Sequence, residues 1–495
     1  MKLHSSTKLL LILMSFLLLG KAYSQDEIHG IISDSKSNEV LPYVSIVTLK
    51  TMQGVISNEQ GEFIIETDQL SLNDTIRFQS IGYATKDLTV EHLISNSDIS
   101  LELDVYDLNE IIILEKGLTP ERIVKNVLEY REKNYIGKIY KNKVFVRERY
   151  NTSFESLDLD HKKSSIDALD EDMIKKIEQY SPKDILTFYD NLCDIYYDTN
   201  NPETFKVKPI RDIGLKEEDI TELENLEVIM DSLFKSTGEK EYWKVKSGIF
   251  SQKIEVNPEQ DSIQTTINID SLETKYLKYT LNNIQSYTTF QDKKKWDFIH
   301  KTGKYNFEFE GGTTLNDEDV YIISFTPKRG GVYTGKLYIA FDSFALIKAD
   351  YTYAEGKHGR DFQMLGIGYS RDNFSGSIYF EKGDEKYQLR YFSFKSTDRF
   401  SVDRNISLIK KKKRFLIDKK QNEIKVGLDI KTVTDASVEY AVIDSNPISS
   451  ADLEKFVEPQ KFKVIYVDQF DKNLWKGYSI IQPVQEMKEY VKSDY

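Results

Sequence analysis

One cysteine, Cys193, stands in 495 residues, so no intramolecular disulfide can staple the fold and stability must come from packing. Histidine is scarce too: His4, His29, His92, His161, His300 and His358 never stand three to five residues from one another or from the cysteine, which leaves no local zinc motif. There is no Gly-x-Ser-x-Gly elbow, phosphate loop, dinucleotide fingerprint or calcium loop, so the common signatures of hydrolytic, phosphoryl-transfer and redox enzymes are absent. Gly366-Ile367-Gly368 is half a phosphate motif in strand-like sequence and lacks the third glycine, so it reads as a kink in a sheet. Cys193, among aromatic residues, reads as a small buried hydrophobe rather than a nucleophile. No catalytic residue, cofactor or metal is expected.

Positive charge is also in deficit. Lys and Arg number 67 against 80 Asp and Glu, a net charge of −13, and a surface of that sign repels nucleic acid and anionic headgroups unless a local basic patch overrides it. Beyond residue 24 no apolar run approaches the roughly 18 residues that a membrane-spanning helix needs, so no transmembrane segment is expected after processing.

What is present begins at the N-terminus. Lys2 and Lys8 precede an apolar run over 9–19, followed by Gly20, Lys21, Ala22, Tyr23 and Ser24. That order is a secretory signal peptide over 1–24, cleaved before Gln25; its apolar run is too short to anchor the chain. Loss of its three lysines and no acid takes the net charge from −13 to −16. The aromatic content, 31 Tyr and 26 Phe against 3 Trp, suits pleated, half-buried strand faces.

From residue 28 to about 103 the chain reads as short strands over 28–33, 44–50, 54–57, 62–67, 75–80 and 84–90, the pattern of a small antiparallel sandwich. Asn58-Glu59-Gln60-Gly61 is a hairpin turn in which Gly61 is free to take positive φ. The set Gly30, Asp34, Leu41-Pro42, Val44, Gly54, Ser57-Asn58, Gly61-Glu62-Phe63 and Ile81-Gly82-Tyr83 resembles the carboxypeptidase-like regulatory domain, and Leu108-Asn109-Glu110-Ile111-Ile112-Ile113 resembles the segment that closes it. The resemblance implies a seven-stranded prealbumin-like sandwich, common at the N-termini of outer-membrane receptors and other exported bacterial proteins. The resemblance is to a carboxypeptidase's accessory domain alone, so it does not imply proteolysis, which would need a zinc-binding catalytic domain.

Thr119 as N-cap with Pro120 at the first helical position opens a helix to about Asn134. A strand is expected over 143–150, a helix over 166–180, and a helix opened by Ser181-Pro182-Lys183-Asp184 that carries Leu186, Tyr189, Leu192 and Cys193. Two more helices are expected over 217–234, with Glu217-Glu218-Asp219 at its positive end, and over 271–289. After Lys304 the pattern turns to period-2 alternation: Tyr305, Phe307 and Phe309; Tyr321, Ile323 and Phe325; Leu337, Ile339 and Phe341; Ile378 and Phe380; Tyr387, Leu389 and Tyr391. Turns are expected at Gly311-Gly312, Gly330-Gly331 and Lys382-Gly383-Asp384, and the 271–289 helix is the natural cover for the buried face. Beyond Lys410 only short strands over 424–431 and 461–467 and a helical tail are expected, with no C-terminal barrel. Tyr321 to Pro327-Lys328, Gly335 to Phe341-Asp342 and Ala345 to Asp350 resemble the open half-barrels of periplasmic lipoprotein-sorting carriers, and the whole arrangement resembles exported proteins that join the regulatory-like domain to such a module.

The expected architecture is therefore an N-terminal all-β prealbumin-like sandwich over 25–115, then a larger α+β module: a helical or mixed region over 116–300 and an antiparallel β-meander with a C-terminal extension over 301–495. The concave side of the meander is the candidate ligand surface, represented by Leu337, Ile339 and Phe341. Lys410, Lys411, Lys412, Lys413 and Arg414, with Lys419 and Lys420, form the sharpest charge feature, an exposed loop or a patch for anionic lipid, lipopolysaccharide phosphate or an acidic partner. Lys293-Lys294-Lys295-Trp296 is a smaller one, with Trp296 placed at the sheet edge. The function expected is a non-enzymatic binding or assembly role at the outer membrane or in the periplasm, with an envelope protein or lipid as partner. A hydrolase assembled from scattered residues and an adaptor for an outer-membrane receptor are the alternatives.

Overall fold

The structure, a computed structural model, describes residues 27–50, 54–106, 118–215, 240–248, 250–254, 271–316, 318–383, 385–415, 417–478 and 480–490. The expected signal peptide, the expected closing segment 108–113 and the helix expected over 217–234 lie outside them.

Seven short strands build the N-terminal sandwich: β1 (Glu27–Asp34), β2 (Ser45–Thr48), β3 (Gly54–Ile56), β4 (Glu62–Glu66), β5 (Thr75–Gln79), β6 (Lys86–Thr89) and β7 (Ile99–Leu101). They form two sheets, β4-β1-β7 and β3-β2-β5-β6, with Ile28, Ile32, Val44, Ile46, Phe63 and Phe78 packed between them. The turn between β3 and β4 is set by Asn58, whose Oδ1 accepts from the amides of Gln60 and Glu62, both at 2.9 Å. Gly61 sits at φ +72°, and a Cβ there would lie 2.6 Å from the Ile32 carbonyl oxygen.

The rest of the chain supplies β8 (Ile139–Ser164), β9 (Asp184–Asp198), β10 (Asn201–Leu215), β11 (Glu241–Ser247), β12 (Phe250–Ile254), β13 (Ser271–Glu273), β14 (Tyr305–Leu315), β15 (Glu318–Pro327), β16 (Tyr333–Ala340), β17 (Leu346–Tyr353), β18 (Asp361–Met364), β19 (Ile367–Lys382), β20 (Tyr387–Lys412), β21 (Lys419–Pro447), β22 (Lys461–Lys463) and β23 (Ile465–Val467). Fourteen of these make one sheet, in the order β14-β15-β16-β17-β19-β20-β21-β8-β9-β10-β23, with β11, β12 and β18 attached beside β20 and β19. The β14–β17 meander runs as the alternation predicts. The boundary expected at 300 falls inside this sheet, because β21 pairs with β8 from Ile424↔Ser164 to Pro447↔Tyr140.

Strand alternation gives the sheet two buried faces. Val144, Val146, Cys193, Ile195, Phe392, Phe394, Val438 and Tyr440 share one core with Ile123 and Val127 of the helix Pro120–Glu129 and with Leu277, Leu281 and Ile284 of the helix Thr274–Thr288. The intervening residues Phe145, Leu192, Ile213, Tyr391, Ala441 and Ile443 form a second core with Ile56 of the sandwich and Trp475 and Ile481 of the C-terminal tail. Helices therefore cover one face, while the sandwich and the tail cover the other. Tyr43 stacks on Tyr391 with ring centroids 4.5 Å apart, which seats the sandwich.

Several expectations need correction. The segment after Ser181 is strand β9 and no helix. Ser181 ends the preceding helix Glu171–Tyr180 by donating its amide (3.1 Å) and hydroxyl (2.6 Å) to the Ile177 carbonyl, and the residues that follow are buried on both faces, so their apolar run has no readable period. Gly311-Gly312 is a bulge inside β14: the register shifts between Phe309 and Gly311, and the chain leaving the sandwich pairs there, Tyr106 exchanging amide–carbonyl bonds with Gly312 at 2.9 and 2.8 Å. A Cβ at Gly311, φ +145°, would stand 3.0 Å from the Tyr106 carbonyl oxygen. Gly366 is the turn between β18 and β19, following Leu365 at φ +52°. The region after Lys410, expected to hold only short strands, contains the whole of β21, a strand of 29 residues.

Candidate functional site

The helix Thr274–Thr288 lies over the sheet as a lid. Its N-terminus is tied to the chain before β22: the Thr274 amide donates to the Gln460 carbonyl at 2.9 Å and the Thr274 hydroxyl to the Pro459 carbonyl at 2.5 Å. Leu277, Leu281 and Ile284 recur at helical spacing and are buried against the sheet. Past its C-terminus the chain turns sharply at Phe290, which holds φ +57°, a conformation that costs a bulky L-residue strain. What holds it there is packing. The Phe290 ring meets Trp296, Tyr135 and Phe380 with centroids 4.7, 5.3 and 5.3 Å away, and His300 Nε2 donates to its carbonyl at 2.7 Å. Trp296 is wholly buried, its Nε1 donating to the Tyr287 carbonyl at 2.9 Å, so it lies in the core under the lid and not at the sheet edge.

A cavity of about 100 Å³ remains beside Phe290, between the last turn of the lid, the start of β8, the β9–β10 hairpin and the strands β19–β21. Ile136, Tyr140, Ile195, Ile284, Phe380, Leu389 and Tyr440 give it apolar lining, and Arg131, Asn142, Thr199 and Gln285 add polar groups. The Arg131 Nε donates to the Thr289 carbonyl at 3.2 Å, and burial holds its guanidinium below the usual range. Asn142 Nδ2 donates to the Tyr197 hydroxyl at 3.2 Å, and the Tyr135 hydroxyl donates to the Leu346 carbonyl at 2.8 Å. Gln285 Oε1 is buried without a hydrogen-bond donor, a cost a ligand donor would remove. At about 30 Å³ per water the space holds roughly three waters.

The opposite face carries a polar pocket of about 440 Å³, lined by Glu59 of the sandwich, Arg149, Lys395 and Glu439 of the sheet, and Glu486 of the tail. Arg147 is its anchor, joined to Asp190 by two bonds of 2.8 and 2.7 Å and to the tail carbonyls of Ile481 and Gln482 at 3.0 and 2.8 Å. Burial pushes the Glu439 carboxyl up to about 7. Glu59–Lys395 and Arg149–Glu486 ion pairs clamp the rim, so charge here is spent largely on joining three parts of the chain.

Leu337 and Ile339 are fully buried in the packed core, and Phe341 is half-buried, stacked on Tyr321 at 3.7 Å; they lie on the lid-covered face but do not line the cavity. Cys193 is buried, and burial raises its thiol well above the usual range. Among the described residues no group of three or more His, Cys, Asp and Glu is placed to hold a metal ion, and no helix is long and apolar enough to cross a membrane. Lys410, Lys411 and Lys412 are strand residues, and Lys413 and Arg414 begin the connection to β21. Sequence reasoning missed Arg131, Gln285, Phe290 and Arg147. No local spacing marks them, since elements far apart in sequence assemble the cavity that holds the first three and the pocket on the opposite face that holds Arg147.

Comparison with known proteins identifies the first unit. Residues 28–113 match the CarboxypepD_reg-like domain, and strands β1–β7 there form the two packed sheets of the sandwich. TonB-dependent receptor P3 of Formosa agariphila is 28% identical over 109 residues, 21% of this chain and 11% of that protein, so the chain spans about a tenth of that relative's length. Among solved structures, a LolA superfamily protein from Nitrosomonas europaea is similar at 11% identity over 68% of this chain and 97% of that one, with a TM-score of 0.17. The Pseudomonas aeruginosa MucA/MucB complex is similar at 6% identity over 67% and 99%, also with a TM-score of 0.17. Scores this low add nothing to the functional reading.

Proposed function

We propose that this chain is an exported, non-catalytic binding protein of the bacterial envelope that takes an apolar ligand with one polar end into the gap beneath the lid helix. The observation that carries the reading is the strained Phe290 turn at the wall of an aromatic-lined cavity, since strain maintained by packing concentrates where a segment must move. The N-terminal Lys-apolar-small order and the CarboxypepD_reg-like domain, shared with a TonB-dependent receptor, support the envelope setting. In this account Gln285 and Arg131 meet the polar end and Ile195, Ile284 and Tyr440 the apolar body. The small volume favours a second reading, an adaptor in which the sandwich, locked to the sheet by Tyr43 and Tyr106, presents one rigid surface to a receptor.

The test is titration with an environment-sensitive apolar probe, 1-N-phenylnaphthylamine. Phe290→Ala should increase probe binding by enlarging the gap, whereas Ile284→Phe should abolish it by filling the gap. Weak binding that neither substitution changes would leave the adaptor. Amino-terminal sequencing of the envelope fraction should begin at Gln25, and an intact Met1 would remove the export claim.

A further inference from the structure

The basic run stands at the end of the longest hairpin. Strands β20 and β21 pair from Tyr391↔Ala441 to Lys412↔Lys419, and Lys413, Arg414, Phe415, Ile417 and Asp418 lie in the connection. Lys410 does not belong to the exposed part, because it is buried with Nζ 3.2 Å from Glu241. Lys412, Lys413, Arg414, Lys419 and Lys420 face solvent, and the exposed Lys240 and Lys253 of the neighbouring segment add the same sign. The nearby carboxylates are engaged in holding the hairpin: Asp418 accepts from the Tyr242 hydroxyl at 2.6 Å and the Arg414 amide at 3.2 Å, and Glu423 pairs with Lys420 at 2.7 Å and Lys163 at 3.1 Å.

Two large apolar side chains stand among these cations. Phe415 is 101% exposed and Ile417 83%. A single exposed apolar residue is ordinary, but two at one turn, inside a cationic cluster on a chain of net charge −13, need a reason. The turn is also braced. β11 pairs with β20 from Glu241↔Lys412 to Ser247↔Ile406, and the fully buried Trp243 beneath it packs with Ile166, Leu169, Ile174 and Ile424. Ring and aliphatic tips entering the headgroup region while Lys and Arg meet phosphate is the chemistry of an anionic lipid interface, and such a surface needs no matching groove for Phe415.

We propose that the β20–β21 tip docks on an anionic lipid surface through Phe415 and Ile417, with Lys412, Lys413, Arg414 and Lys419 as the headgroup contacts. The proposal is independent of the cavity under the lid. Its test is flotation of the purified chain with vesicles of phosphatidylcholine alone and of equal parts phosphatidylcholine and phosphatidylglycerol. Binding is expected only to the anionic vesicles and should weaken with salt. Changing Lys412, Lys413, Arg414 and Lys419 to Gln should lower partitioning about fivefold per charge. Phe415→Ser with Ile417→Ser should lower it further, with the melting temperature as the folding control. Phe415→Trp gives a local reporter, because Trp243, Trp296 and Trp475 are only 0%, 0% and 4% exposed, and its emission should shift to the blue on anionic vesicles. No flotation with anionic vesicles, flotation unchanged by these substitutions, or an unshifted indole would each overturn the proposal, as would capture of an acidic protein without vesicle binding.

Discussion

Changing Arg147 to Met should destabilise the protein by about 4–6 kcal/mol, and the terms come from the geometry. The Arg147 side chain is 3% exposed and that of Asp190 0%, so the pair is sealed from water. Met keeps the apolar stem of Arg147 but leaves the Asp190 carboxylate buried without a counter-charge. Breaking a buried pair from one side costs about 3–5 kcal/mol. The tail carbonyls of Ile481 and Gln482 also lose their charged donor, worth about 1.5–3 kcal/mol, of which rehydration of the tail returns a part. Adding Asp190→Leu removes the orphaned charge, so the double variant should recover about 3 kcal/mol and keep only the deficit of the tail. Urea unfolding followed by intrinsic fluorescence measures both. A single variant within about 1 kcal/mol of the parent, or a double variant no better than the single, would refute the reasoning.

Three other outcomes are expected. Glu439 is held up to about 7 against an ordinary 4.5, so the folded state binds its proton more tightly than the unfolded chain does; its contribution is intact below pH 4.5 and is lost as pH rises towards about 7. Glu439→Gln should therefore gain on the parent by about 2–3 kcal/mol between pH 5 and pH 8, and a pH-independent difference in urea midpoints would contradict the shift. Gly61→Val, at φ +72° and against the Ile32 carbonyl, should cost about 1–3 kcal/mol by thermal melting, and an unchanged melting temperature would place Gly61 elsewhere. Cys193, buried and with its thiol pushed up, should react with a disulfide reagent only in denaturant; rapid labelling of the native chain would show the β9 core to be open.

The parts of the fold legible in the sequence are those set by local chemistry. The Asn58–Gly61 turn and the short alternating strands specify the sandwich, and Thr119-Pro120 specifies a helix start whose Thr119 hydroxyl does accept from the Arg122 amide at 3.2 Å. The lid was readable from the spacing of Leu277, Leu281 and Ile284, and Leu337 and Ile339 from the alternation that puts them on its face of the sheet. Strand β9 was not, because Phe188 and Leu192 are buried on one face and Cys193 and Ile195 on the other, which erases the period. Nor was the joining of β21 to β8, a pairing of segments nearly 300 residues apart that no window of sequence contains. The cavity depends on that pairing and on the left-handed turn at Phe290, where no glycine announces it. The lysine run was visible as charge, but its position on a braced hairpin beside an exposed Phe415 is a property of the fold.

The central claim is that the gap under the lid is a ligand site, and native mass spectrometry of the chain purified without denaturant, followed by solvent extraction, tests it most directly. The folded parent chain should carry an apolar molecule that a folded Ile284→Phe variant loses. A parent chain that is always free of ligand, with Phe290→Ala no better at retaining one, would contradict it.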